Sequence, residues 1–280
     1  MGHYVNAEML EAFERTLKYE EKSQATVDKY FRDLRAFFIW LGPEKQITKD
    51  RVIAYKVKLT ETYAPASVNS MLAALNCFFK KMGWYDCVVK ALKIQREAFR
   101  SSSREMTKEE YYRLLQAAKR RGKRRLSLVM QTICSTGIRV SELKFITVQS
   151  LSRGRTVVSL KGKTRTVLLP DKLRVMLRRY VKAQGITEGP VFVTRRGNPL
   201  DRSNILHAMK ELCQEAGVSR NKVFPHNLRH LFAVTYYKIQ KDLPHLADLL
   251  GHSNINTTRI YTLVNGEEQA KQISRMGLVV

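Results

Sequence analysis

Negative charge is what this sequence has least of. Its 280 residues carry 25 Asp+Glu against 50 Lys+Arg, a formal net charge of +25. The imbalance is uneven: residues 1–100 hold 17 basic and 12 acidic side chains, residues 101–280 hold 33 and 13. A surface that basic calls for a polyanion, most commonly phosphate backbone, although composition alone also fits a merely soluble basic protein. Cysteine is scarce as well. Cys77, Cys87, Cys134 and Cys213 lie far apart with no C-x-x-C pair, which supports neither a zinc site nor a secreted disulfide framework. Reduced, mostly buried thiols are expected. No apolar run approaches membrane-spanning length, and M-G-H-Y-V-N-A-E-M-L at the start lacks the apolar core of a signal peptide, so a cytoplasmic protein with no membrane partner is expected. No P-loop is present to hydrolyse a nucleotide, and no carboxylate cluster to hold a metal; the expected cofactor is none.

What is present reads as one or two globular domains. Met9, Leu10, Phe13 and Leu17 recur at helical spacing over 6–19, with Asn6 as N-cap. A second helix covers 24–41, with Val27, Tyr30, Phe31, Leu34, Phe37, Phe38 and Leu41 inward and Gly42-Pro43 ending it. A third covers roughly 49–60, and a fourth runs from Pro65 toward Gly83. Four amphipathic helices on short loops make a small bundle. Its aromatic stripe reads as core, with a nucleic-acid stacking surface as the competing use. From Lys93 to Met106 periodicity fails and serines gather among basic residues, the mark of a linker.

The second domain opens on a capping box, Thr107 with Glu110. The basic run 119–125 (K-R-R-G-K-R-R) reads as a solvated face or a phosphate contact. An apolar helix spans Leu126 to Cys134 and leads into T-G-I-R-V-S-E-L, which sets Arg139 at a turn beside a helix N-terminus, where anions bind. The runs 155–160 and 165–170 flank K-G-K-T and predict a β-hairpin with lysine at its tip. A helix over 171–184, an extended piece at 191–194 and a helix from Asp201 or Ser203 through Cys213 follow. Arg202, Asn204, His207 and Lys210 on the last of these are either groove readers or its solvent face.

The densest chemistry lies between Pro225 and Thr262. It holds His226, Arg229, His230, His252, Arg259 and Tyr261. His226 and Arg229 are three apart, so a helix projects both from one face. L-P-H-L-A-D-L-L ends at Gly251, a natural helix C-cap, with His252 next. Imidazoles, a fixed guanidinium and a phenol without metal-ligand spacing suit chemistry on a phosphate.

P-H-N-L-R-H-L-F-A, L-G-H-S-N-I-N-T-T-R-I-Y and T-G-I-R-V-S-E-L occur here in that family's arrangement: the chain resembles the tyrosine site-specific recombinases, which include phage integrases and Xer proteins. The likeness is specific over 136–262 and looser elsewhere. It implies a mainly α, two-lobed DNA clamp. Residues 1–92 would be a core-binding, SAM-like helical domain, 93–106 the linker, and 107–262 a mixed, mostly helical catalytic domain with a small β-hairpin. The tail, 263–280, would dock on a neighbouring protomer, with Ala270, Ile273 and Met276 on one helical face; packing in cis is the alternative. With no arm-binding extension upstream, a Xer-like minimal architecture is expected.

The resemblance also implies roles. Tyr261 would attack a phosphodiester to give a 3′-phosphotyrosine and a free 5′-hydroxyl, while Arg139 and Arg229 hold the non-bridging oxygens. His226 would assist proton transfer, His252 would bond the phosphate, and Glu142 would orient the histidine–arginine cluster. Lys161 would protonate the leaving oxygen, with Lys163 the alternative. The implied partners are double-stranded DNA with a crossover site, sister copies in a synaptic tetramer, and accessory DNA-bending proteins, all at the nucleoid. A type IB topoisomerase-like enzyme, a telomere resolvase and a catalytically silent DNA-binding regulator are the competing readings.

Overall fold

The computed structural model describes residues 2–43, 46–94, 104–160, 162–194, 196–262 and 274–275. The chain divides into two compact units, Met1–Arg96 and Glu97–Val280. In the first, a two-residue strand β1 (His3–Tyr4) precedes helices α1 (Ala7–Tyr19) and α2 (Gln24–Leu41). Strand β2 (Gln46–Ile47), antiparallel to β1, leads into α3 (Lys49–Thr62) and α4 (Pro65–Lys81). Local chemistry sets the helix starts. Asn6 accepts the Met9 N–H at 2.9 Å, Thr48 caps α3, and Pro65 occupies the first turn of α4, where its missing N–H matters least.

The aromatic stripe is core. Phe13, Phe37, Phe78 and Phe79 are fully buried, and Phe13 meets Phe78 edge-on with centroids 5.3 Å apart. No sequence signal announced how the chain leaves this bundle. Asn69 and Asn76, two turns apart on α4, act as backbone mimics. Each side chain donates to and accepts from a passing residue, Leu92 and Val89 respectively, at 2.7–3.0 Å. Every polar group of that side-by-side contact is thereby paired.

The second unit begins with α5 (Lys108–Arg120), whose Thr107–Glu110 capping box is present with both bonds made. The end of the 93–106 stretch is already packed: Met106 is buried and the Arg104 carbonyl accepts from Asn227. Residues 95–103 lie outside the described residues. Next come α6 (Arg124–Thr136), a six-residue 3₁₀ segment Val140–Phe145, and α7 (Val148–Arg153). Strands β3 (Arg155–Leu160) and β4 (Lys163–Leu168) form the hairpin, followed by α8 (Asp171–Ala183), α9 (Arg202–Lys210) and α10 (Cys213–Ala216). Finally α11 (Pro225–Gln240) and α12 (Leu243–Leu250) precede two 3₁₀ turns, Ile255–Thr257 and Arg259–Tyr261. Helix α6 packs against α5, α8, α9 and α11, so its Leu128, Val129, Met130 and Ile133 are all buried.

Several expectations need correcting. β4 starts at Lys163, with Leu160 opposite, so the hairpin turn is two residues long and not the four of K-G-K-T. The helix expected to run through Cys213 breaks after Lys210 into α9 and α10. The basic run 119–125 is largely exposed, as a solvated face would be, but several of its charges are paired at the surface: Arg120 and Arg121 with Glu215 and Lys123 with Glu211, while Arg125 donates to the Val193 carbonyl. Only two thiols, Cys87 and Cys213, are buried; Cys77 and Cys134 are partly so, and none of the four is in a disulfide. Burial pushes Cys87 up to about 11 and Cys134 to about 12, leaving both inert as nucleophiles. Among the described residues no helix is long and apolar enough to cross a membrane.

Candidate active site

The site is built on the ends of two helices. α6 and α12 both stop at a glycine in the left-handed conformation, Gly137 (φ 64°) and Gly251 (φ 63°). A side chain would be strained there, and at Gly137 a Cβ would lie 2.5 Å from the Phe232 ring. Helix ends leave carbonyls without partners and carry partial negative charge. Here guanidinium groups supply the partners. Arg229, projecting from the first turns of α11, donates to the Gly137 carbonyl at 2.7 Å and to the Leu250 carbonyl at 2.6 Å. It is 2% exposed, the largest fully buried side chain among the described residues.

Two more arginines close on the same helix end. Arg165, on β4, donates to Leu249, and Arg139 makes a long contact of 3.4 Å with Gly251. Three consecutive carbonyls, 249 to 251, thus face three different guanidiniums. A single buried carboxylate stands among them. Glu142 accepts from Arg139 at 2.8 Å and from Arg165 at 2.7 Å, and its other bond is to the Arg139 backbone N–H at 2.9 Å. Burial raises the Glu142 pKa, but the Arg139 N–H and the two guanidiniums outweigh it, so the group stays ionised below the usual carboxylate range. The same crowding acts on Arg229. Burial first, then Arg139 and Arg165, lower its value to about 10, which still leaves it charged at neutral pH.

His252 sits one residue beyond the glycine. Its Nδ1 lies 2.9 Å from the Thr258 hydroxyl, and Arg229 faces its Nε2 at 3.1 Å. Since a guanidinium only donates, Nε2 accepts and Nδ1 carries the proton. Burial, reinforced by Arg229, Arg139 and Arg165, lowers His252 to about 4, so it is neutral at physiological pH. The Tyr261 ring lies nearly parallel to His252 at 6.4 Å and meets His230 edge-on at 5.0 Å. Tyr261 is 3% exposed and packs with Ala233, Leu246 and Leu250.

Of the residues predicted from sequence, Arg139, Glu142, Arg229, His252 and Tyr261 therefore come together. His226 is exposed on α11, one turn before Arg229; partial desolvation, then Arg229 and Arg139, lower its pKa. Lys161 and the tail positions Ala270, Ile273 and Met276 lie outside the described residues, as does the side chain of Lys163. His207 and His245 are exposed, away from the cluster. Two expectations change. Glu142 accepts from two arginines and, among the described residues, from no histidine. The N-terminus beside Arg139 belongs to a short 3₁₀ segment, and the N–H of Arg139, its N-cap, is already taken by Glu142. Sequence reasoning missed Arg165 and Thr258. Arg165 could have been found from strand alternation, because it shares a face with buried Val167 and lies opposite buried Val158. A cleft of about 910 Å³, lined by Arg139, Glu142, Arg165, His252 and Thr257, opens onto this cluster.

Comparison with known proteins identifies the family. Residues 104–268 match the phage integrase family model, and residues 10–84 match the phage integrase N-terminal SAM-like domain. The tyrosine recombinase XerA of Thermococcus kodakarensis is 31% identical over 97% of this chain and 96% of its own. The crystal structure of XerA recombinase shares the fold with TM-score 0.54 at 24% identity, covering 98% of this chain and 99% of that one. A lambda integrase tetramer bound to a Holliday junction aligns with TM-score 0.72 at 20% identity, covering 91% of this chain and 76% of that one. This chain belongs to the phage integrase family: it is a tyrosine recombinase, an enzyme of site-specific DNA recombination.

Proposed function

We propose that this recombinase cleaves DNA through Tyr261, with Arg139 and Arg229 holding the scissile phosphate, and rejoins it to a partner strand at a crossover site. The observation that carries the reading is the convergence of Arg139, Arg229, His252 and Tyr261, from three separate segments, on the ends of α6 and α12. The Tyr261 oxygen attacks phosphorus, the bond from phosphorus to the 5′ oxygen breaks, and its electron pair leaves with that oxygen. The products are a 3′-phosphotyrosine and a 5′-hydroxyl. A phenol is mostly protonated at neutral pH, so its proton must go to a base, the role assigned to His226. Lys161, or Lys163, delivers a proton to the leaving oxygen.

The two guanidiniums neutralise charge as the pentavalent state forms, and preorganised donors of this kind contribute a few kcal/mol each, typically about 3. His252 joins them as a neutral ring. When a phosphate displaces the bond from Arg229, Nδ1 can release its proton to solvent and accept from the Thr258 hydroxyl, while Nε2 takes up a proton from solvent and donates it to the phosphate. Glu142 keeps Arg139 in place. Tyr261 and Arg229 are both covered in the free protein, so DNA binding has to draw the 255–261 segment aside before attack.

Residues 1–92 are assigned to core-binding and 263–280 to contact with a neighbouring copy in a tetramer on DNA. The tetrameric lambda integrase complex supports that assembly. Integration, excision, inversion and dimer resolution all use this chemistry, in the cytoplasm at the nucleoid, with accessory DNA-bending proteins as further partners.

The test is covalent trapping. A duplex selected by the protein from a random-sequence pool is nicked so that cleavage cannot reverse, and attachment is read on a denaturing gel. Wild type should become attached and Tyr261→Phe should bind the duplex without attachment. A band that persists in Tyr261→Phe would overturn the assignment; binding without attachment in wild type would favour the silent regulator.

A further inference from the structure

We propose that Arg165 is a positioning residue for strand cleavage, holding Glu142 so that Arg139 presents its guanidinium to the phosphate, and tying the lysine-bearing hairpin to the His252 turn. The inference rests on the functional reading above. Arg165 lies on β4, opposite Val158, with a side chain 10% exposed. It reaches in two directions. One nitrogen donates to Glu142 Oε2 at 2.7 Å, and the other donates to the Leu249 carbonyl, two residues before the glycine that precedes His252.

Glu142 has two oxygens and three donors to serve. Oε2 takes the Arg139 N–H and Arg165, which leaves Oε1 to the Arg139 guanidinium. Arg165 therefore sets the rotation of the carboxylate. Without it, Oε2 is held by the Arg139 N–H alone, the carboxylate can rotate about that bond, and the Arg139 guanidinium follows its partner. That matters because Arg139, unlike Arg229, is 42% exposed and has no other short bond to its guanidinium among the described residues. The packing is close as well. A Cβ at Gly251 would collide with the Arg165 side chain, so the hairpin and the α12 terminus meet at this arginine.

Two features point to function and not stability alone. Arg165 Nε is buried without a hydrogen-bond partner among the described residues, an arrangement that works against folding. Its charge also lies near Arg229, whose proton affinity burial first, then Arg139 and Arg165, lower. A lysine cannot replace it fully, because one ammonium does not span Glu142 and Leu249 in the planar geometry of a guanidinium. Lys161 and Lys163 are four and two residues away on the same hairpin, so one side chain couples the acid-bearing turn to the phosphate-holding arginine.

The experiment uses the full chain and the nicked duplex. Affinity for the duplex and the single-turnover rate of attachment are measured for wild type, Arg165→Met, Arg165→Lys, Glu142→Gln and the Glu142→Gln/Arg165→Met double variant. Arg165→Met should bind as wild type does and attach about 100-fold more slowly, the size of effect expected when a catalytic group is misplaced by about an ångström. Arg165→Lys should recover part of the rate, and it carries the test alone if Arg165→Met does not fold. Because Arg165 acts through Glu142, the double variant should be no slower than the slower single one. Attachment by Arg165→Met at the wild-type rate, or losses that multiply in the double variant, would overturn the inference and leave the functional reading standing. Failure of wild type to attach would overturn both.

Discussion

The two units bury opposite kinds of matter. The first fills its centre with phenyl rings, Phe13, Phe37, Phe78 and Phe79. In the second, an apolar core supports a site whose largest fully buried side chain is an arginine, with Glu142 beside it at 2% exposure. Rings attract through contact area and tolerate many packings; a buried guanidinium demands a particular oxygen at each N–H. The first unit is therefore specified by pattern and the second's site by individual partners. Changes in one should act on stability, and changes in the other on rate.

The sharpest test of that contrast is Arg229→Lys. A lysine keeps the charge but cannot serve the Gly137 and Leu250 carbonyls together with a phosphate, so attachment to nicked DNA should slow about a thousandfold. An unchanged single-turnover rate would make Arg229 a structural cap and break the comparison. Next in size is Phe37→Ala in the bundle. It should lower the unfolding free energy by about 3 kcal/mol in denaturant titration. The attachment rate of the molecules that remain folded and bound should be unaltered; a slowed rate would show that the bundle's packing reaches the chemistry.

The smallest expected effect concerns pH. His252 titrates at about 4 in the folded protein against an ordinary 6.5, so on acidification the unfolded chain takes up the proton first. Stability should accordingly fall as pH drops from about 6.5 toward 4, and His252→Asn should remove that share of the loss. Melting temperatures of both proteins across this window check it. Parallel curves would mean that burial does not hold the ring neutral.

The sequence announced much of this. Apolar periodicity delimits α1 and α2 at the observed residues, and Asn6, Thr107 and Gly251 mark helix ends because each satisfies a backbone group only a few positions away. The motif positions Arg139, Glu142, Arg229, His252 and Tyr261 were also visible, through resemblance to the recombinases. Less visible was anything that depends on a partner distant in the chain. Asn69 and Asn76 look like helix-surface polars until Leu92 and Val89 pass beside them. The basic run at 119–125 gives no sign that Glu211 and Glu215, some ninety residues later, pair with it at the surface.

By itself, then, the chain determined its helices, its basic character and the family to which it belongs, since those follow from neighbours within a turn or from motif spacing. Tertiary structure alone decided that three arginines share the last carbonyls of α12, that Glu142 serves two of them, and that His252 is neutral. The reason is physical: hydrogen bonding of an arginine and the proton affinity of a histidine depend on burial and on charges brought from residues as far apart as 139 and 252.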